Sequence, residues 1–205
     1  MDQYPYHVTA RTHDREPFDL PLEQVWDIFS RYLYFITLAY GVRIHSFVLM
    51  SNHFHMLMTT PNQNIDHAMN DLMSEVTKAI NQEADRSGPA FDGHCHWSLI
   101  KNRLYYQHAY KYVYRNPVEA GLCNRVEKYP YSTLMRILGF DHLPFPAFDN
   151  MNLIVNPKDQ LDWLNQPFPD SSFLENIRLA LRQEEFDLQP DHSNRVFRTV
   201  SRELH

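Results

Sequence analysis

The sequence predicts an α+β fold: an antiparallel sheet with helices on one face, followed by a C-terminal extension. Three observations predict it. Short alternating apolar runs are separated by longer segments of helical period, two β-rich runs are joined by only two residues, and the composition changes after Gly139.

Tyr4 to Arg11 alternates, with Tyr4, Tyr6, Val8 and Ala10 set against Pro5, His7, Thr9 and Arg11, which is the pattern of a half-buried strand that begins near its proline. From Leu22 to Ala39, Val25, Phe29, Tyr32, Leu33 and Ile36 recur at helical spacing, with Pro21 before them and Gly41 after. Val42–Met50 and His53–Thr60 are β-rich and flank Ser51-Asn52; asparagine tolerates positive φ, so a tight hairpin is expected. Ile65, Met69, Leu72, Met73, Val76 and Ile80 mark a second amphipathic helix that ends before Gly88-Pro89. His96–Lys101 reads as a short strand and Leu104–Arg115 as an aromatic-rich helix. The order β-α-β-β-α-β-α is the split β-α-β pattern of ferredoxin-like folds, whose sheet leaves one face free for a ligand.

The segment from Gly139 to Pro157 is rich in Pro, Asn and Asp, which predicts a boundary near residue 140: a catalytic domain over 1–139 and an arm over 140–205, with a helix near 171–186. No stretch is apolar enough to cross a bilayer, the first residues do not resemble a signal peptide, and Cys95 and Cys123 are too few for a disulfide framework; a cytoplasmic protein is expected. The net charge of −6 argues against a generic nucleic-acid binder, but the acidity lies mostly in the arm. Residues 1–139 carry 13 Lys+Arg and 14 Asp+Glu, and residues 140–205 carry 6 and 11. Between Lys101 and Arg136, seven basic residues face two acidic ones, so a locally basic surface is available.

Alternate residues of a strand share a face with Cα atoms roughly 6.5–7 Å apart, so His53 and His55 point the same way and can share one metal ion. An isolated H-x-H is more often a polar pair on a solvated face. On the aromatic helix, Tyr112 and Asn116 share a face, with His108 one turn earlier, while Tyr114 is rotated about 200° from Tyr112. Asn116 also precedes Pro117, so it reads equally as an N-cap. His94-Cys95-His96 with Cys123 matches no common zinc-finger spacing.

The segment Ser46-Phe-Val-Leu-Met-Ser-Asn-His-Phe-His-Met-Leu-Met58 resembles the apolar strand, turn and His-x-His strand of the HUH single-tyrosine transposases, in the branch associated with repetitive extragenic palindromes. Ser51 stands where that family usually has proline. Tyr6-His-Val-Thr-Ala-Arg11 with Arg15-Glu-Pro17 is similar to its first strand and following loop, Tyr112-Val-Tyr-Arg-Asn-Pro-Val-Glu-Ala-Gly-Leu122 to its tyrosine block, and Tyr129-Pro-Tyr-Ser132 to a short motif downstream. The resemblance, over about residues 4–135, implies Tyr112 as nucleophile and His53, His55 and Asn116 as ligands of a divalent Mg²⁺ or Mn²⁺ ion. It implies DNA transposition by cleavage and strand transfer of single-stranded DNA presented by a hairpin, through a 5′-phosphotyrosine. It leaves monomer and homodimer both open. Arg11, Arg15, Lys101, Arg103, Lys111 and Arg115 are then candidates for DNA phosphates and His108 for proton transfer. A hairpin-binding protein of the same fold without catalysis, and a hydrolytic nuclease using water, are the rival readings.

Overall fold

The computed structural model of the protein describes residues 4–148 and 156–188. Pro5 has no amide hydrogen for a ladder, and strand β1 starts immediately after it, at Tyr6–Arg11. Helix α1, Leu22–Tyr40, buries Val25, Ile28, Phe29, Leu33 and Ile36 and stops at Gly41, whose φ of 68° forms a left-handed cap. Strands β2 (Arg43–Leu49) and β3 (His53–Thr59) form the hairpin; α2 (Ile65–Glu83), β4 (His96–Leu99) and α3 (Arg103–Glu119) follow. The sheet order is β2-β3-β1-β4, with all pairs antiparallel, as the split pattern predicts.

One irregularity sets the faces. Ile44, Phe47 and Leu49 all enter the core under α1 and α2, which strict alternation forbids; a shift of register between Ile44 and Ser46 absorbs the extra residue. The first core therefore lies between α1, α2 and the face carrying Val8, Ala10, Phe47, Phe54, Met56 and Met58. The opposite face carries His7, Val48, His55 and Leu57 and is covered by α3.

Residues 156–188 of the arm pack onto this second face. Helices α4 (Leu134–Ile137), α5 (Pro157–Asn165) and α6 (Ser171–Ala180) follow α3. Leu164, Phe168, Phe173, Leu174, Ile177 and Phe186 share one apolar cluster with Tyr106, Tyr110 and Val113 of α3. Residues 140–148 run the other way: Phe145 enters the first core beside Trp26 and Phe47, and Phe148 N donates to Ile44 O at 2.8 Å.

Both sheet edges are covered. Along β2, Leu49 N donates to Tyr131 O (3.0 Å) and Thr133 N to Phe47 O (3.0 Å). Along β4, Leu99 N donates to Glu184 O and Phe186 N to Leu99 O, both at 2.8 Å. The helix expected over 171–186 ends at Ala180 because residues 184–186 are used to pair with this edge.

Candidate active site

The hairpin turn is closed by Met50 N donating to His53 O at 2.8 Å. Asn52 does not have positive φ, contrary to the reason for expecting it there; its side chain is what the turn uses. Nδ2 donates to Arg15 O (2.6 Å), tying down the loop after β1, and Oδ1 stands 2.7 Å from His53 Nδ1. His53 Nδ1 therefore carries its proton toward Asn52, and Nε2 is the atom left to coordinate.

The pair lies as strand geometry predicts: the rings of His53 and His55 are 5.1 Å apart at 87°. Tyr112 reaches them from α3, with its ring 5.3 Å from that of His55 and 6.3 Å from that of His7. Tyr114 faces elsewhere, its hydroxyl 2.9 Å from Thr133 Oγ1. Tyr112 is 8% exposed and His55 7%.

Burial, and secondarily the charge of Arg11, lowers the His53 pKa to about 4. Burial also holds His55 well below its ordinary value, with smaller contributions from His53, His7, Arg11 and Arg178. Both imidazoles are thus neutral at pH 7 and keep a lone pair for a metal, so this donor set fits a divalent ion whose other ligands are oxygens. Among the described residues no group of three or more His, Cys, Asp or Glu could hold an ion, so further donors must come from amide oxygen, water or substrate.

Asn116 is not an N-cap. Helix α3 runs through Pro117 to Glu119, and Asn116 Nδ2 donates to Tyr112 O at 3.2 Å, one turn back. Its Oδ1 is the atom that would serve a metal. His108 packs on Phe173 of α6 with ring centroids 5.2 Å apart, and burial lowers its pKa to about 4.

The six candidate phosphate contacts divide. Arg11 is exposed at the end of β1, directly opposite His53 in register, and Arg15 is exposed in the loop held by Asn52. Arg103 is exposed at the start of α3; Lys101 is exposed and paired with Glu185 at 2.5 Å. Lys111 and Arg115 do not fit the phosphate role. Lys111 is 7% exposed, lies over the rings of Trp163 (5.2 Å) and Phe168 (5.6 Å), and burial lowers its pKa to about 8. Arg115 is 5% exposed and bonded to Glu119 and to the carbonyls of Leu164 and Asn165. Both cations hold the arm.

A family model described as "Transposase IS200 like" matches residues 1–112, more than half of the sequence. The chain belongs to the IS200-like transposase family. Among solved structures, a tyrosine transposase associated with repetitive extragenic palindromes, bound to such a hairpin, is 18% identical with a TM-score of 0.57; 73% of this chain and 89% of that one are covered. A Deinococcus radiodurans protein assigned as a transposase is 15% identical with a TM-score of 0.41, covering 53% and 87%. No curated protein matches the sequence. The first of these neighbours shows the fold, and the family makes the protein a transposase, an enzyme of DNA transposition. No helix among the described residues is long and apolar enough to cross a membrane.

One residue of the candidate site escaped the sequence reading. His7 stands on the polar side of an alternating strand, where a histidine reads as solvated surface, yet it is 1% exposed and in contact with His55. His96 of the His-Cys-His run sits with Nε2 3.2 Å from Leu181 O, and Cys95 and Cys123 are free thiols.

Proposed function

We propose that the transposase cleaves and rejoins single-stranded DNA through Tyr112, with a divalent Mg²⁺ or Mn²⁺ ion held by His53, His55 and the Oδ1 of Asn116. The observation that carries this reading is the approach of the Tyr112 ring to within 5.3 Å of His55, on the sheet face that also bears His53. A phenol near pKa 10 is a weak nucleophile and a phosphodiester repels anions, so the site must orient the hydroxyl and neutralise the phosphate. The ion's contribution when bound is Lewis-acid polarisation of a non-bridging phosphate oxygen.

The chain's own residues do the rest. Tyr112 Oη forms a bond to phosphorus as the bond to the 3′ oxygen of the preceding nucleotide breaks, the phenolic proton is lost, and the leaving oxygen takes up a proton as a 3′-hydroxyl. The product is a 5′-phosphotyrosyl linkage, which another 3′-hydroxyl reverses to join strands without external energy. The rigidity of β3 and α3 keeps nucleophile and ligands in register. Arg11, Arg15 and Arg103, with Lys101 once released from Glu185, serve the DNA backbone. The hairpin seen with the neighbouring transposase supports hairpin-presented DNA as the substrate here. His108, drawn into the packing with Phe173, is not given a proton-transfer role.

Burial of Tyr112 and His55 favours a second reading, a hairpin-binding protein of the same fold without strand transfer. Incubation with hairpin oligonucleotides and Mn²⁺ separates the two: the first yields a covalent protein–DNA adduct that Tyr112→Phe abolishes while hairpin binding persists, and the second yields binding alone. An adduct that survives Tyr112→Phe overturns the nucleophile assignment.

A further inference from the structure

We propose that His7 is a positioning residue for the metal site, accepting the Nδ1–H of His55 and thereby keeping the His55 Nε2 lone pair aimed at the ion. The inference rests on the reading of His55 as a ligand. His7 Nε2 lies 3.0 Å from His55 Nδ1, and the two rings are stacked at 28° with centroids 5.2 Å apart. His7 belongs to β1 and pairs across the ladder with Leu57, two residues beyond His55, so it approaches the ligand diagonally from the neighbouring strand.

A single proton lies between these two nitrogens. If it resides on His7, the neutral His55 ring carries its own proton on Nε2 and has no lone pair there for a metal. If it resides on His55 Nδ1, Nε2 is the lone-pair atom. A ligating histidine holds its other N–H against an acceptor for this reason, and such an outer partner fixes both tautomer and ring orientation. Asn52 Oδ1 does so for His53 at 2.7 Å, and His7 Nε2 is placed to do so for His55.

Among the described residues, His55 is the side chain to which His7 is hydrogen-bonded. His7 is 1% exposed, in a position where an aliphatic side chain would pack without desolvating two ring nitrogens. His7 Nδ1 and the hydroxyl of Ser98, its register partner on β4, are both buried without partners among the described residues. The hydrogen bond to His55 is therefore the one that orients the ring.

The test uses the full chain and Mn²⁺ without DNA. Titration calorimetry of His7→Phe, which keeps a stacked ring and removes the acceptor, is expected to show Mn²⁺ bound about 10- to 100-fold more weakly. His7→Gln, which restores an acceptor oxygen, is expected to recover most of that loss. Long-range proton–nitrogen correlation spectra of the metal-free protein should show His55 as the Nδ1–H tautomer in the wild type and a mixture in His7→Phe. Thermal unfolding of both variants confirms that they fold. Wild-type affinity in His7→Phe, an equal loss in both variants, or an Nε2–H tautomer at His55 in the wild type each overturns the proposal. His55→Ala separates the two levels: if it abolishes Mn²⁺ binding while His7→Phe does not, the role of His7 alone fails, and if it leaves binding intact, the metal site fails and this proposal with it.

Discussion

Arg115 directs its guanidinium donors into the protein. Nε and Nη2 meet Glu119 at 2.9 and 2.6 Å, and Nη1 bonds the carbonyls of Leu164 and Asn165, the last residues of α5. The Glu119 side chain is 26% exposed, so water screens one end of the pair, but the two carbonyls lose their partner outright if the guanidinium is removed. Arg115→Ala should cost about 3 kcal/mol, read as a lower urea midpoint with an unchanged slope. Arg11 has the opposite environment: exposed, at the strand end opposite His53, and close enough to depress both His53 and His55, the proposed ligands. Arg11→Ala should leave the urea midpoint unchanged, weaken hairpin DNA binding, and reduce the salt-dependence slope of that binding by about one. If the two substitutions exchanged effects, the division of cations into arm-holding and DNA-facing sets would be wrong.

At the scale of elements, α3 is the part whose environment a periodicity cannot convey. Nine of its residues are buried, spread around the helix, because the sheet lies on one side and α5 and α6 on the other. The excess of basic residues between Lys101 and Arg136 is what makes Lys111 and Arg115 candidates for DNA phosphates, and a charge count does not show that a second layer of helices buries them. The strands and the first two helices were legible because each buries one face and shows it as a period of two or about 3.6. Segments that pair through backbone atoms leave no such trace: residues 131–133 along β2 and 184–186 along β4 occupy sheet edges with no alternation to announce them. Spacing shows that His53 and His55 share a strand face and Tyr112 and Asn116 a helix face, and the family resemblance is what singles them out as a site; His7 depends on cross-strand placement, which neither conveys. The shared core makes a direct prediction for the arm. Ile177 is fully buried in α6 within the cluster beneath it, so Ile177→Ala should cost about 2–4 kcal/mol of global stability. A loss confined to α6, visible as local amide exchange with the global midpoint unchanged, would show that the arm is an independent appendage.

The whole molecule is chemically lopsided. The first core is aliphatic and aromatic, whereas the second encloses His7, His45, His53, His55 and His108 on and around the face bearing Tyr112. Burial, the leading cause in every case, lowers His7 and His45 to about 3, His53 and His108 to about 4, and His55 in the same direction. Each folded-state value lies below the ordinary 6.5, so the unfolded chain takes up protons first as the solution is acidified. The associated stability is fully present above about pH 6.5 and is lost progressively as pH falls toward about 3–4, with each histidine contributing up to about 1.4 kcal/mol per pH unit in that window. Carboxylates with ordinary values near 4 titrate mainly below pH 5, so the interval from pH 6.5 to 5 isolates the histidines. Urea denaturation followed by far-UV circular dichroism should give the same midpoint at pH 8 and pH 7.5 and a markedly lower one at pH 5.5. Trp163 packs against the second core and Trp26 and Trp97 against the first, so a variant retaining Trp163 alone should report the loss by fluorescence. If His53 and His55 hold the ion as proposed, adding Mn²⁺ should raise the midpoint at pH 7.5 and still raise it at pH 5.5, because burial keeps His53 neutral down to about pH 4 and holds His55 well below its ordinary value; the effect should fade only as the pH approaches 4. A midpoint that stays flat between pH 7.5 and 5.5 would mean that the second core opens to water around its histidines without unfolding.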